Sequence, residues 1–172
     1  MNLKLLITGA FAAGKTQFIN TLTGDAVKTE VQLSQKTEKL QKDKTTVAMD
    51  YGKIEINGTN IHLFGTPGQD RFDFMLDILS QYKDGAVIIV DSANPESIYK
   101  SKKFIDFIKN TGKPFVIACN KQDLDGSLSP EEIAKILGIP SNMVKPLIAK
   151  DKDSCLNILG FFHEFILNKK VA

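Results

Sequence analysis

The chain has 172 residues, 42% of them hydrophobic and 24% charged, which suits one globular domain with a single core. Its 22 basic residues nearly cancel 20 acidic ones, leaving +2, which gives no support for the large basic footprint of a nucleic-acid binder. Cys119 lies inside an apolar run and Cys155 near a helix start, so both read as buried thiols of a reducing compartment rather than as a disulfide, and a cytoplasmic location is expected.

The first predicted strand covers about residues 3–8 and runs into Gly9-Ala10-Phe11-Ala12-Ala13-Gly14-Lys15-Thr16, which reads G-x-x-x-x-G-K-[ST]. Glycines at both ends of such a loop let successive backbone N–H groups line a concavity that matches a polyphosphate. The helix that follows, expected from Lys15 to Leu22, adds its positive N-terminal end. Gly9, Ala12, Ala13, Gly14, Lys15, Thr16 and Gln17 are therefore candidate nucleotide-binding residues, with Lys15 on the β and γ phosphates and the Thr16 hydroxyl on Mg²⁺.

From Lys28 to Thr45 the chain is polar, with only Val31, Leu33 and Leu40 as scattered apolar residues, and is expected to be a loop. Ile54-Glu55-Ile56 and Ile61-His62-Leu63 then alternate around Asn57-Gly58, which predicts a hairpin and one antiparallel strand. His62 points off the apolar face and reads as solvent-facing rather than catalytic. A fourth strand is expected over Ala86–Val90, followed by a helix capped by Asn94 with Pro95 at its first position. Lys100, Lys102, Lys103, Lys109 and Lys113 on and just after that helix read as a solvated face.

The fifth strand, Phe115–Cys119, leads into Asn120-Lys121-Gln122-Asp123. A carboxylate at Asp123 accepts from both N1–H and the 2-amino group of guanine, whereas adenine offers neither donor. Lys121 would lay its methylene stem along the purine, and Asn120 would tie this loop to the phosphate loop. Ser129-Pro130-Glu131-Glu132 is a capping box, so its glutamates are caps rather than an acid and base pair, and Gly138 closes that helix. A last strand is expected near Met143–Ile148. The final helix carries Leu156, Leu159, Phe162, Phe165 and Ile166 as a core stripe, with His163 on its surface.

With these motifs the chain resembles the Ras-like small GTPases, most closely prokaryotic members that carry T-V-A-M-D-[FY]-G and F-G-T-P-G-Q. The resemblance spans nearly the whole chain. It implies an α/β, three-layer P-loop NTPase over residues 1–172, with a mostly parallel six-stranded sheet, one antiparallel strand and helices on both faces. It also implies roles for particular residues. The loop before Thr46 would be switch I, and Thr46 a second Mg²⁺ ligand that engages when a γ phosphate is present. Gly65-Thr66-Pro67-Gly68-Gln69 looks like D-x-x-G-Q, with the Gly68 N–H on the γ phosphate and Gln69 orienting the attacking water, while Ala149-Lys150 resembles the end of the S-A-K loop, whose alanine N–H meets guanine O6. Gln69, Lys15 and Thr46 are the implied catalytic residues.

The implied function is a GTP-binding switch that hydrolyses GTP slowly with Mg²⁺. The alternative is a module that holds GTP or GDP with little turnover. A protein effector and an activating or exchange protein are expected at the switch regions, with Phe72, Phe74 and Met75 and with Val47, Met49 and Tyr51 as a candidate partner surface or as core. No lipid anchor or transmembrane segment is expected, since residue 2 is Asn2 and no apolar run of about 18 residues occurs. Two positions depart from the family pattern. Gly65 stands where the family has the aspartate that holds Mg²⁺ through water, with Asp50 or Asp91 as candidate substitutes; Phe11 stands where several members have glycine beside the γ phosphate.

Overall fold

The computed structural model describes residues 1–24, 27–34, 44–66 and 83–171, with side chains over 1–24, 49–66 and 83–164. Its strands are β1 (Asn2–Gly9), β2 (Val27–Ser34), β3 (Lys44–Ile56), β4 (Thr59–Gly65), β5 (Gly85–Asp91), β6 (Phe115–Asn120) and β7 (Val144–Pro146). They form one sheet in the order β2-β3-β4-β1-β5-β6-β7. β3 runs antiparallel to both of its neighbours, and the β1–β4, β1–β5, β5–β6 and β6–β7 pairs are parallel. The sheet is therefore mostly parallel with one antiparallel strand.

Its extra edge strand, β2, occupies part of the stretch read from sequence as a loop. Val27, Thr29, Val31 and Leu33 alternate with Lys28, Glu30, Gln32 and Ser34 along it, a period-2 signal weakened by the polar Thr29 on the apolar side. β3 pairs with it from Lys44 to Tyr51, so residues on both sides of 35–43 belong to the sheet.

Among the described residues the helices are α1 (Lys15–Thr23), α2 (Pro95–Asn110), α3 (Pro130–Leu137) and α4 (Lys152–Val171), with a 3-10 turn at Ser141–Met143. Asn94 and Ser129 cap α2 and α3, their side-chain oxygens accepting from Ser97 N and Glu132 N, and each helix has proline in its first turn. Every residue of β5 is buried, because a central parallel strand is covered on both faces and so reads as a continuous apolar run. Leu6, Ile88, Val90 and Ile117 pack with Ile98, Ile105 and Ile133 of α2 and α3. On the opposite face Leu5, Ile7, Val87 and Val116 pack with Phe18, Ile19, Leu159 and Phe162 of α1 and α4.

Cys119 belongs to the first of these cores and Cys155 to the second, so the sheet separates two free, fully buried thiols. Burial pushes both up to about 12 from an ordinary value near 9, with the carboxylates of Glu131 and Asp151 adding to the effect at Cys119 and Cys155 respectively. Because the folded thiols hold their protons more tightly than unfolded ones, their contribution to stability is complete below pH 9 and is lost as pH rises toward about 12. Native protein at mildly alkaline pH is expected to react with a thiol reagent only as fast as it unfolds, with both cysteines released together in denaturant. Rapid labelling of one cysteine in the native protein would contradict this.

Three readings change in detail. Met49 is core, 1% exposed, and so leaves the candidate partner surface, while Tyr51 is half-buried against Phe64 and His62. His62 is half-buried, its Nδ1 2.7 Å from the Tyr51 hydroxyl, and its pKa is lowered first by burial and then by Lys53 and Lys4. His163 is also half-buried, its Nε2 3.1 Å from Thr59 Oγ1, and so ties α4 to the start of β4. Phe72, Phe74 and Met75 lie outside the described residues, as do the side chains of Val47, Phe165 and Ile166.

Candidate functional site

The carboxyl ends of β1, β4, β5 and β6 converge on one edge of the molecule, where ligands of parallel sheets bind. At the end of β1 the chain turns at Gly9 with φ of 144°. A Cβ there would stand 2.2 Å from the carbonyl oxygen of Ile89 on β5, so only glycine lets these strands stay paired up to the turn. The loop closes with Ala13 N donating to Ala10 O and has Ala12 in the left-handed region, φ 62°. Gly14, also left-handed at φ 114°, starts α1 without a side-chain cap. A Cβ on Gly14 would fall 2.2 Å from Asn120 Nδ2. Both glycines of the motif thus answer to close approaches within the protein as well as to the loop's curvature.

Lys15 is buried, and its Nζ donates to Gly9 O and Ala10 O at 2.8 Å each. Burial lowers its pKa to about 8, with the nearby Asp50 carboxylate pulling the other way. Thr16 Oγ1 donates to Asp50 Oδ2 at 2.5 Å. Phe11 is 74% exposed and turned outward, which favours a loop that presents its backbone inward over one blocked by the ring.

Asn120, the last residue of β6, is 4% exposed and joins three segments. Its Nδ2 donates to Ala13 O at 2.8 Å and its Oδ1 accepts from Ala149 N at 2.9 Å. An N–H cannot accept and a carbonyl cannot donate, so these backbone partners fix which way the amide points. The Ala149 N–H, expected to face a purine oxygen, is thereby used inside the protein. Thr21 Oγ1 also bonds to the Ala149 carbonyl at 2.6 Å and accepts from Gln17 Nε2 at 2.9 Å, which ties α1 to the same loop.

Lys121 sits at φ 70° with its Nζ 2.7 Å from Asp91 Oδ2. Asp91 Oδ1 accepts from Ala93 N at 3.0 Å, so this carboxylate serves the loop after β6. Gln122 Nε2 donates to Ser92 Oγ and Leu128 O, and Ser127 Oγ to Lys121 O, which holds the loop rigid from behind.

Gly14, Gln17, Asn120, Lys121, Asp123, Ala149 and Lys150 come together around one cavity of about 300 Å³. Leu124 and Ile148, which sequence reading did not single out, complete its lining. Leu124 is 48% exposed, and the only signal the sequence offered for it was its place directly after N-K-x-D. Asp123 is exposed at this cavity, and among the described residues its carboxylate has no side-chain partner. Thr46 lies in β3 opposite Gln32, its side chain outside the described set, and Gly68 and Gln69 lie outside the described residues altogether.

A metal here would have oxygen donors, the Thr16 hydroxyl and the Asp50 carboxylate. That donor set fits a hard divalent cation such as Mg²⁺, which takes one or two protein oxygens and completes its shell with phosphate and water. No group of three or more His, Cys, Asp or Glu gathers into an all-protein metal cage among the described residues.

Comparison with known proteins agrees with this architecture. Residues 24–154 match the family described as conserved hypothetical ATP binding protein. The chain is 28% identical over 130 residues to an uncharacterized protein of Methanocaldococcus jannaschii, covering 76% of each. It is 28% identical to human ADP-ribosylation factor-like protein 4C, covering 98% of this chain and 89% of that one. A solved structure of the Arl6 small GTPase from Trypanosoma brucei, with the bound nucleotide analogue GppNp, superposes with a TM-score of 0.74 at 17% identity, over 98% of this chain and 99% of that chain. The chain has the fold of the Arl6 small GTPase, and it belongs to the family described as conserved hypothetical ATP binding protein.

Proposed function

We propose that the protein is a guanine-nucleotide switch that binds GTP and GDP and hydrolyses GTP slowly. The observation that carries this reading is the pair of hydrogen bonds that Asn120 donates to Ala13 O and accepts from Ala149 N, which holds the phosphate loop and the base-side loops around one cavity with Asp123 at its edge. A loop pair braced in this way is suited to a ligand that has phosphates at one end and a base at the other. Asp123 would take the two guanine donors, and the stem of Lys121, its head fixed on Asp91, would lie along the ring. With Ala149 N–H committed to Asn120, the next N–H, that of Lys150, is left to meet guanine O6.

On the phosphate side Lys15 would move its ammonium from the loop carbonyls toward the β and γ phosphates. Thr16 and Thr46 would hold Mg²⁺, which when bound supplies positive charge to the phosphate oxygens. Gln69 would orient a water for in-line attack on the γ phosphorus, breaking its bond to the bridging oxygen of GDP, with the Gly68 N–H on a γ oxygen. Unaided turnover in such enzymes is of order 10⁻⁴ per second, which calls for an activating partner at the switch regions.

The family's description names ATP, so base choice is the decisive test. In competition against a fluorescent GDP derivative, GDP is expected to displace the probe at a concentration at least 100-fold below that of ADP. Asp123→Asn is expected to weaken GDP at least tenfold. Equal displacement by ADP would overturn the guanine assignment and leave an adenine-nucleotide protein on the same loop.

A further inference from the structure

We propose that Asp50 is the carboxylate of the divalent-cation site, carried across from β4 to the neighbouring strand. P-loop proteins pair the hydroxyl after the loop lysine with a strand-end aspartate around the metal. Here the end of β4 carries Gly65, but the residue opposite it in the antiparallel β3–β4 register is Asp50. A Cβ built on Gly65 would stand 3.3 Å from the Asp50 Cβ and 3.0 Å from Ile19 Cδ1. The two positions therefore open onto the same space, and the carboxylate enters it from β3.

The chemistry fits. Thr16 Oγ1 donates a hydrogen bond to Asp50 Oδ2 at 2.5 Å. Its lone pairs are then left for a cation, and the carboxylate raises the oxygen's donor strength as an outer partner of a ligand does. The same carboxylate acts on the Lys15 ammonium, which places its charge beside the phosphate loop. Asp91, the other candidate from sequence, is held by Lys121 and Ala93 N and belongs to the base-side loop.

This assignment rests on the nucleotide reading above and predicts opposite signs in two conditions. Without metal, the Asp50 carboxylate repels phosphate; with metal, it holds the cation that the phosphates share. GDP affinity would be measured across a Mg²⁺ titration and in EDTA for the wild type, Asp50→Asn, Gly65→Asp and the double variant Asp50→Gly/Gly65→Asp. Asp50→Asn is expected to raise the Mg²⁺ midpoint at least tenfold while leaving GDP affinity in EDTA equal or tighter. Gly65→Asp alone, with two carboxylates in one space, is expected to impair Mg²⁺ coupling, and the double variant to recover it to within about threefold of the wild type.

An unchanged midpoint in Asp50→Asn would overturn the proposal. So would an equal loss of affinity with and without Mg²⁺, because a purely structural role weakens both. Failure of the double variant to recover would overturn the shared-space argument. If the folded wild type binds no GDP in either condition, the nucleotide reading falls instead, and the two failures are distinguished by that control.

Discussion

Lys15→Ala is expected to lower GDP and GTP affinity by at least 10²-fold, to below detection at micromolar protein, while leaving thermal stability nearly unchanged. The two halves of this expectation have separate causes. Keeping the ammonium charged in its buried position costs about 3 kcal/mol, judged from a pKa brought down to about 8 from 10.5. Its bonds to Gly9 O and Ala10 O hold the ammonium in place and are already contained in that net cost. Folding therefore gains little from the residue, whereas a polyphosphate would lose the buried ammonium of the phosphate loop. Calorimetric titration with GDP, alongside a melting curve, checks both halves. Retained affinity would remove the phosphate-loop reading.

Asn120→Ala is expected to damage both binding and stability. Ala13 O and Ala149 N are buried, and each loses its partner when the amide is removed, at about 1–3 kcal/mol apiece. A combined loss of roughly 2–6 kcal/mol corresponds, at about 2–4 °C per kcal/mol, to a fall of at least about 4 °C in melting temperature for a domain of this size. GDP affinity should fall at least tenfold further than the loss of folded protein explains, because the two loops are no longer held at one spacing. Asn120→Asp is the informative second variant. It keeps the acceptor for Ala149 N but turns the donor to Ala13 O into a second acceptor. Full binding by either variant would show that the brace is dispensable.

The sheet and its helices were legible from the sequence because local signals agreed with tertiary structure. The Asn57-Gly58 turn set the β3–β4 hairpin, Asn94-Pro95 and Ser129-Pro130 started α2 and α3, and the continuous apolar runs became the two-sided strands β5 and β6. β2 was missed because its alternation rests on Thr29 as much as on Val27, Val31 and Leu33, and hydrophobicity alone discounts threonine although it favours strands. In the site, Gly14, Lys121, Asp123 and Lys150 could be placed because motif and strand end coincide. The pairings Asp50 with Gly65 and Asp91 with Lys121 could not be, since they depend on strand register and on which of two loops a side chain turns toward. The outward turn of Phe11 depends on backbone angles that no spacing encodes.

The brace at Asn120 also bears on the order in which the chain folds. Ala13 and Asn120 are 107 positions apart, and closing a loop of that length costs roughly 4 kcal/mol of chain entropy before either bond forms. The phosphate loop can take its turn as soon as β1 and α1 exist, but it gains its tie to the base-side loops only after β5 and β6 have been laid beside β1. Ala149 lies a further 29 positions along. A fragment ending before it would carry the whole G-x-x-x-x-G-K-T loop yet lack the contact that sets the cavity's width. Nucleotide capture by a refolding chain should therefore lag behind the recovery of sheet structure, and become possible only once the last quarter of the sequence has docked.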